Sequence, residues 1–252
     1  MLRRTATAVC SLALILAVGW TSARASVLLP IGHADYYQGA TKVGTYNLIY
    51  DPDAPNIVNG VAQGGAHGIV WLDYTRLDAD NNPLYDTWQN QVAWATGLNG
   101  SGTITNYVLN TGYSMNWGGS SWRLPSTVDD DTSYGDNPPP SSSEMAHLYY
   151  TELGNIGYDN QGWGLSNTGD FQNILPDWYW SGTEYAGPSN AWYFGTADGI
   201  QEAFSKDYGG FSALAVRTGQ LSTSAVPEPS TYLLLGIALG VVGYARRRMS
   251  AR

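Results

Sequence analysis

Apolar residues along the chain form two long runs, one near each end, and short broken runs between them. The first long run is Ala8 to Trp20, behind Arg3 and Arg4 and ahead of Ala23-Arg24-Ala25. A positive start, an apolar stretch and a small-residue A-x-A site are the three parts of a secretory leader. Residues 1–25 therefore read as a removable signal peptide, with Ala23 and Ala25 marking cleavage before Ser26. The second run, Tyr232 to Ala245, follows Pro227-Glu228-Pro229 and precedes Arg246-Arg247-Arg248. As a helix over 231–245 it would span roughly 20 Å, against about 30 Å of hydrocarbon core. That is short for a permanent span and suits a segment recognised in the membrane and then cut. The arginines favour the cytoplasmic side and leave the preceding residues outside, the orientation a signal peptide also requires. An ordinary single-span anchor is the other reading of this run.

Between the ends the pattern changes to short elements. Residues 26–66 read as short strands and turns, the best strand being Val43 to Tyr50, ended by Asp51-Pro52-Asp53. Gly68 to Asp73 is a compact apolar run of the kind a buried strand carries. Asp78 to Pro83 is a polar turn. Trp88, Val92 and Ala95 recur at helical spacing, with Asp86 and Gln89 as a capping box and Asn99-Gly100 as the stop. A second helix is expected over Glu144 to Leu153, capped by Ser141 and Glu144. Met145, Leu148, Tyr149 and Leu153 form its apolar stripe, and Gly154 follows it. The Asp-, Pro- and Ser-rich stretch Asp129 to Ser143 reads as a mobile surface loop. Beyond residue 155 short strands are expected at Trp178–Ser181, Ala191–Gly195 and Leu214–Arg217. The fold class this implies is α+β: a small twisted mixed or antiparallel sheet with two helices and long loops.

Composition narrows the partners. Without the two ends, the chain's 12 basic and 21 acidic residues fall to 5 and 20, a formal charge of −15. Such a body repels nucleic acid and anionic lipid and leaves neutral polysaccharide, cations or a basic protein surface as partners. The single cysteine, Cys10, lies in the leader, so the exported part has no disulfide, thiol nucleophile or thiolate ligand.

No catalytic constellation stands out. His33, His67 and His147 are far apart in sequence, and nothing resembles a nucleophile elbow. Asp78, Asp80 and Asn82 begin like a calcium loop, but Pro83 stands where that loop needs glycine and the final glutamate is missing. Asp129-Asp130-Asp131 is a second acidic cluster. Most such runs are solvated loops, so no cofactor is expected and calcium is the one candidate exception. Trp117, Trp163, Trp178 and Tyr185 lie in Gly- or Asn-rich segments, where an aromatic face can stack on a sugar ring; packing within loops is their other reading.

Two resemblances add to this. Pro227-Glu228-Pro229, the apolar helix and the basic end resemble the PEP-CTERM sorting signal of Gram-negative bacteria, covering 227–252 after a linker at 220–226. That resemblance implies an exosortase, a membrane-embedded cysteine protease, as partner, with the protein anchored through its C-terminus and then released to the cell surface or beyond. The body carries Ser121-Trp122-Arg123-Leu124-Pro125, Tyr179-Trp180-Ser181-Gly182-Thr183 and the closing Ala215-Val216-Arg217. With Gly68 to Asp73 and Ala191-Trp192-Tyr193-Phe194, these make residues 66–219 similar to the Lcl C-terminal domain family, leaving 26–65 as an N-terminal extension. That resemblance implies a C-type-lectin-like fold, in which Trp122, Arg123, Leu124, Pro125, Tyr179, Trp180, Ser181 and Arg217 serve structure. The functional expectation is a non-catalytic exported protein that binds exopolysaccharide or matrix. A structural or adhesive protein with an envelope-protein partner is the alternative, and an extracellular hydrolase the third reading.

Overall fold

The computed structural model describes residues 28–224. The expected leader with Ala23, Ala25 and Ser26, the motif Pro227, Glu228, Pro229 and the expected membrane helix 231–245 lie outside the described residues. Among the described residues no helix is long and apolar enough to cross a membrane.

The chain opens with three long strands, β1 (Leu29–Gln38), β2 (Thr41–Val58) and β3 (Val61–Leu72), followed by helix α1 (Trp88–Gly97). Next come β4 (Ile104–Leu109), β5 (Tyr113–Asn116) and a short helix, α2 (Glu144–Ala146), which runs on as a π-helical turn over His147–Glu152. The last strands are β6 (Trp178–Tyr185), β7 (Asn190–Gly195), β8 (Gln201–Ser205), β9 (Ala215–Thr218) and β10 (Gln220–Thr223). They form a five-stranded sheet in the order β4-β1-β2-β3-β9, a three-stranded sheet β6-β7-β8 and a two-stranded pair β10-β5. All the strand pairs are antiparallel. Strands thus dominate, with two helices. The expected 65/66 division falls inside β3, and part of the expected linker pairs as β10.

The apolar run at the end of β3 is continuous because the five-stranded sheet is covered on both faces. Side chains alternate across a strand, so Ile69 and Trp71 join one core cluster while Val70 and Leu72 join another. The first cluster also takes Met145, Leu148, Tyr149 and Leu153 from the second helical segment; the other takes Ile31, Leu48 and Trp122. A third, around Trp180, Tyr193 and Phe211, receives Ala95, Val92 and Trp88 from α1.

Four expectations need correcting. Residues 26–66 are not short strands: Asn59 and Gly60, both at positive φ, make the tight hairpin turn that joins β2 to β3. Asp51-Pro52-Asp53 does not end its strand. Pro52 sits in a bulge between Asp51 and Ala54, beyond Tyr50, the last residue of β2 that β1 pairs, so the proline costs no β1 ladder bond. The caps lie one and two residues further on than expected. Thr87 accepts from Asn90 N–H at 3.4 Å, because the Asp86 carboxylate is taken by Thr87 N–H, Asn90 and Arg76; Ser143 rather than Ser141 accepts from Ala146 N–H at 2.8 Å. Finally, the 129–143 stretch is pinned rather than loose. Ser133, Ser142 and Ser143 are buried, and Gln201 Nε2 donates to Ser133 O at 2.7 Å.

Trp71 is fully buried where the sheet meets the second helical segment. Trp71→Ala is expected to lower unfolding free energy by about 3–5 kcal/mol. A urea-denaturation loss below about 1 kcal/mol would contradict this packing.

Candidate functional site

The two tryptophan-bearing motifs meet in space. Pro125 O accepts from both Ser181 Oγ (2.9 Å) and Gly182 N–H (2.8 Å), tying the loop after Trp122 to β6. Trp122 is held by Asn99, which accepts from its N–H at 2.7 Å and donates to its carbonyl at 3.0 Å. Arg123 exchanges backbone hydrogen bonds with Val216 of β9. Leu124 packs with Trp180, whose indole N–H donates to Asp86 O at 3.0 Å. Tyr179 OH is bonded to Thr75 and to Leu175. Arg217 lies over the Trp117 ring at 4.4 Å and donates from Nε to Ser120 O.

At the centre is Glu144, fully buried at the start of α2. Arg123 Nη1 and Nη2 donate to its two oxygens, each at 2.7 Å. Ser126 N–H donates at 2.7 Å, and His67 Nε2 from β3 stands at 3.2 Å. Burial alone would raise this carboxyl's pKa. The Arg123 charge and hydrogen bonds outweigh it, with His67 and Ser126 adding to the effect, and take it from 4.5 down to about 2.

Arg123, Ser126 and His67 of this network line an open cleft of about 840 Å³. It is lined by the β2–β3 hairpin from Asn56 to Gly60, by Trp88 and Val92 of α1, by Thr183 and Glu184 of β6, and by Asp129. The Trp88 indole is fixed by donation to Ser181 O at 2.8 Å and by Lys206 Nζ, 4.4 Å from its ring centre. Lys206 in turn pairs with Glu184 at 2.7 Å.

The four aromatics singled out in sequence are not brought together, and none lines this cleft. Trp117 packs between Tyr107, Trp122 and Arg217. Trp163 is exposed against Tyr158. Tyr185 sits edge-on to Trp192. Trp178 belongs to a surface patch with Phe204 and Tyr208, each 44–45 % exposed, gathered around Phe211. At the expected calcium loop, Asp78 Oδ1 accepts from the N–H groups of Asp80 and Asn82 and so closes its own turn. Asp129 accepts from Trp192 Nε1, and Asp130 caps a 3₁₀ turn.

A second cluster escaped sequence reasoning. Asp51 and Asp53 of β2 and His147 and Glu152 of the π turn place one ligand-type atom each within 4.8 Å of one another. His147 Nε2 faces Glu152 at 3.5 Å, Asp51 at 3.6 Å and Asp53 at 3.8 Å. Burial pulls the imidazole pKa down, but Asp51, then Glu152 and Asp53, pull it up further and prevail. The potential here is strongly negative. The i, i+2 spacing of Asp51 and Asp53 was visible in sequence, but not their meeting with a helix about a hundred residues away.

These geometries belong to an exported protein. The PEP-CTERM protein-sorting motif matches residues 225–248, immediately after the described part of the chain. That motif marks an exosortase-sorted surface protein of the Gram-negative cell envelope. No curated protein and no solved structure matches the chain.

Two predictions follow from these contacts. Glu144→Gln leaves the Arg123 charge without its carboxylate and is expected to cost about 3 kcal/mol, the low end for a buried pair because Arg123 keeps a third of its side chain in water. A carboxyl depressed on folding stabilises fully above its unfolded pKa, and that contribution is lost as pH falls from about 4.5 to about 2. Denaturation midpoints across this window should fall more steeply in the parent than in Glu144→Gln; parallel curves would contradict the pairing. Replacing Pro227, Glu228 and Pro229 by alanine should leave a C-terminal epitope tag on the protein in an exosortase-bearing host that removes it from the parent. Equal loss of the tag would show that processing does not read the motif.

Proposed function

We propose that the protein is a non-catalytic surface module that binds neutral extracellular polysaccharide in the cleft lined by Arg123 and Trp88. The observation that carries this reading is the cleft itself. Its volume lies in the range that holds a few sugar units, and its walls set an indole beside carboxamide, hydroxyl and carboxylate groups. An aromatic face covers the C–H face of a sugar ring while such polar groups take its hydroxyls. The acidic body disfavours polyanions, which leaves neutral glycans as the matching class. Export to the envelope places the protein where such polymers are found, and the resemblance of residues 66–219 to Lcl C-terminal domains points the same way.

The Trp178–Phe204–Tyr208 patch favours a second reading, a protein partner in the envelope. Exposed aromatic groups gathered in one place are typical of protein-binding surfaces.

Purified protein should be retained on extracellular polysaccharide of the producing bacterium and released by free glycan. Trp88→Ala is expected to weaken retention more than about tenfold, equivalent to about 1.4 kcal/mol, while Trp178→Ala leaves it unchanged. Circular dichroism should verify that both variants fold. Absence of retention, with Trp178→Ala abolishing a cross-link to an envelope protein on intact cells, would replace the glycan reading with the protein one.

A further inference from the structure

Two departures from regular structure face each other beside the first core cluster, and each delivers a pair of ligand-type side chains. In β2, three steps from Asp51 to Ala54 face two steps of β3, from Ile69 to His67. The extra residue makes a bulge, a feature that re-aims side chains. Opposite it, Leu153 N–H bonds to Leu148 O, an i→i+5 closure, within the π turn His147–Glu152. A regular α-helix, at about 3.6 residues per turn, would swing a side chain five positions on well away from the first. The wider turn returns His147 and Glu152 to one side, and such turns occur frequently at functional sites.

The cluster is more than a group of acids. The Asp51 side chain is fully buried and His147 is nine-tenths buried. Asp51 Oδ2 and His147 Nε2 have no hydrogen-bond partner within the protein, and it is Nε2 that faces all three carboxylates. Buried polar atoms are seldom left unsatisfied, and buried carboxylates are hydrogen-bonded, paired or metal-bound.

We propose that Asp51, Asp53, His147 and Glu152 bind a divalent transition cation of the Zn²⁺ or Mn²⁺ type. The ligand atoms lie within 4.8 Å of one another. An ion about 2.0–2.4 Å from each ligand spans twice that distance, so the four groups close on it with small side-chain movement. One imidazole nitrogen suits borderline Zn²⁺ and three carboxylates suit Mn²⁺; the absence of thiolate disfavours soft ions, and the imidazole disfavours Ca²⁺ and Mg²⁺. Asp53, one-fifth exposed, marks the entry side. Bound there, the ion cross-links β2 to the second helical segment in a body that has no disulfide. This proposal is independent of the glycan reading.

The test uses the full chain, purified in detergent without chelator. Elemental analysis should find about one Zn or Mn per chain. Stripping with EDTA should lower Tm by about 5 °C or more, and Zn²⁺ or Mn²⁺, but not equimolar Ca²⁺, should restore it. Asp51→Asn and His147→Gln should bind the ion more than about tenfold less tightly, whereas Asp78→Asn should bind as the parent does. Parent protein that holds neither metal and shows no Tm response to either would overturn the proposal and leave an imidazolium–carboxylate cluster. Undiminished binding in a folded His147→Gln variant would place the metal elsewhere, and preference for Ca²⁺ would refute the ion class.

Discussion

A carboxylate with no exposure to water needs its charge answered on the spot, and Glu144 meets that requirement with groups from two distant segments. Arg123 grips both oxygens, Ser126 N–H adds a third bond, and His67 approaches from β3. Because Glu144 also opens α2, the same charge sets where that helix begins and how it lies against the five-stranded sheet. The loop after Trp122 is then held on one side by Glu144 and on the other by β6, through Pro125 O. Remove the guanidinium and only Ser126 N–H and His67 remain to offset the desolvation of Glu144. The motif residues thus form a junction between the sheets, and the cleft is the open side of that junction.

Without disulfides, the body relies on burial. A sheet covered on both faces lets one strand feed two cores, as Ile69 to Leu72 do. Large aromatic groups complete these cores, and several find partners for their polar edges: Trp88 with Ser181, Trp180 with Asp86, Trp122 with Tyr107, though not Trp71. This explains why tyrosine and tryptophan so far outnumber phenylalanine, 28 residues against 4.

The irregular places are where polar chemistry gathers. Strand register breaks between Asp51 and Ala54, helix register breaks over His147–Glu152, and these two breaks face each other. The β2–β3 hairpin links this cluster to the cleft: Ala54, next to Asp53, pairs with His67, which contacts Glu144. A change at one site is therefore only a few bonds from the other.

The sequence alone determined the sorting tail, which is local in character: Pro227-Glu228-Pro229, an apolar run and three arginines need no tertiary contact to be read. It also located the helical stripes, the buried run Gly68 to Asp73 and the strands around Trp180 and Trp192, because periodicity and apolar runs are local signals. The length of the first hairpins was legible in part, since Asn59-Gly60 is a strong turn signal, but Pro52 pointed the other way until the bulge and the open edge of β2 removed its cost. Exposure of the aromatics was not legible: Trp117 and Tyr185 share a Gly- and Asn-rich setting with Trp178, and only long-range packing sorts them. The partners of Glu144, and the meeting of Asp51 and Asp53 with His147 and Glu152, were decided by tertiary structure alone. Charges buried at a junction are chosen by what arrives from elsewhere in the chain, and local sequence carries no record of that arrival.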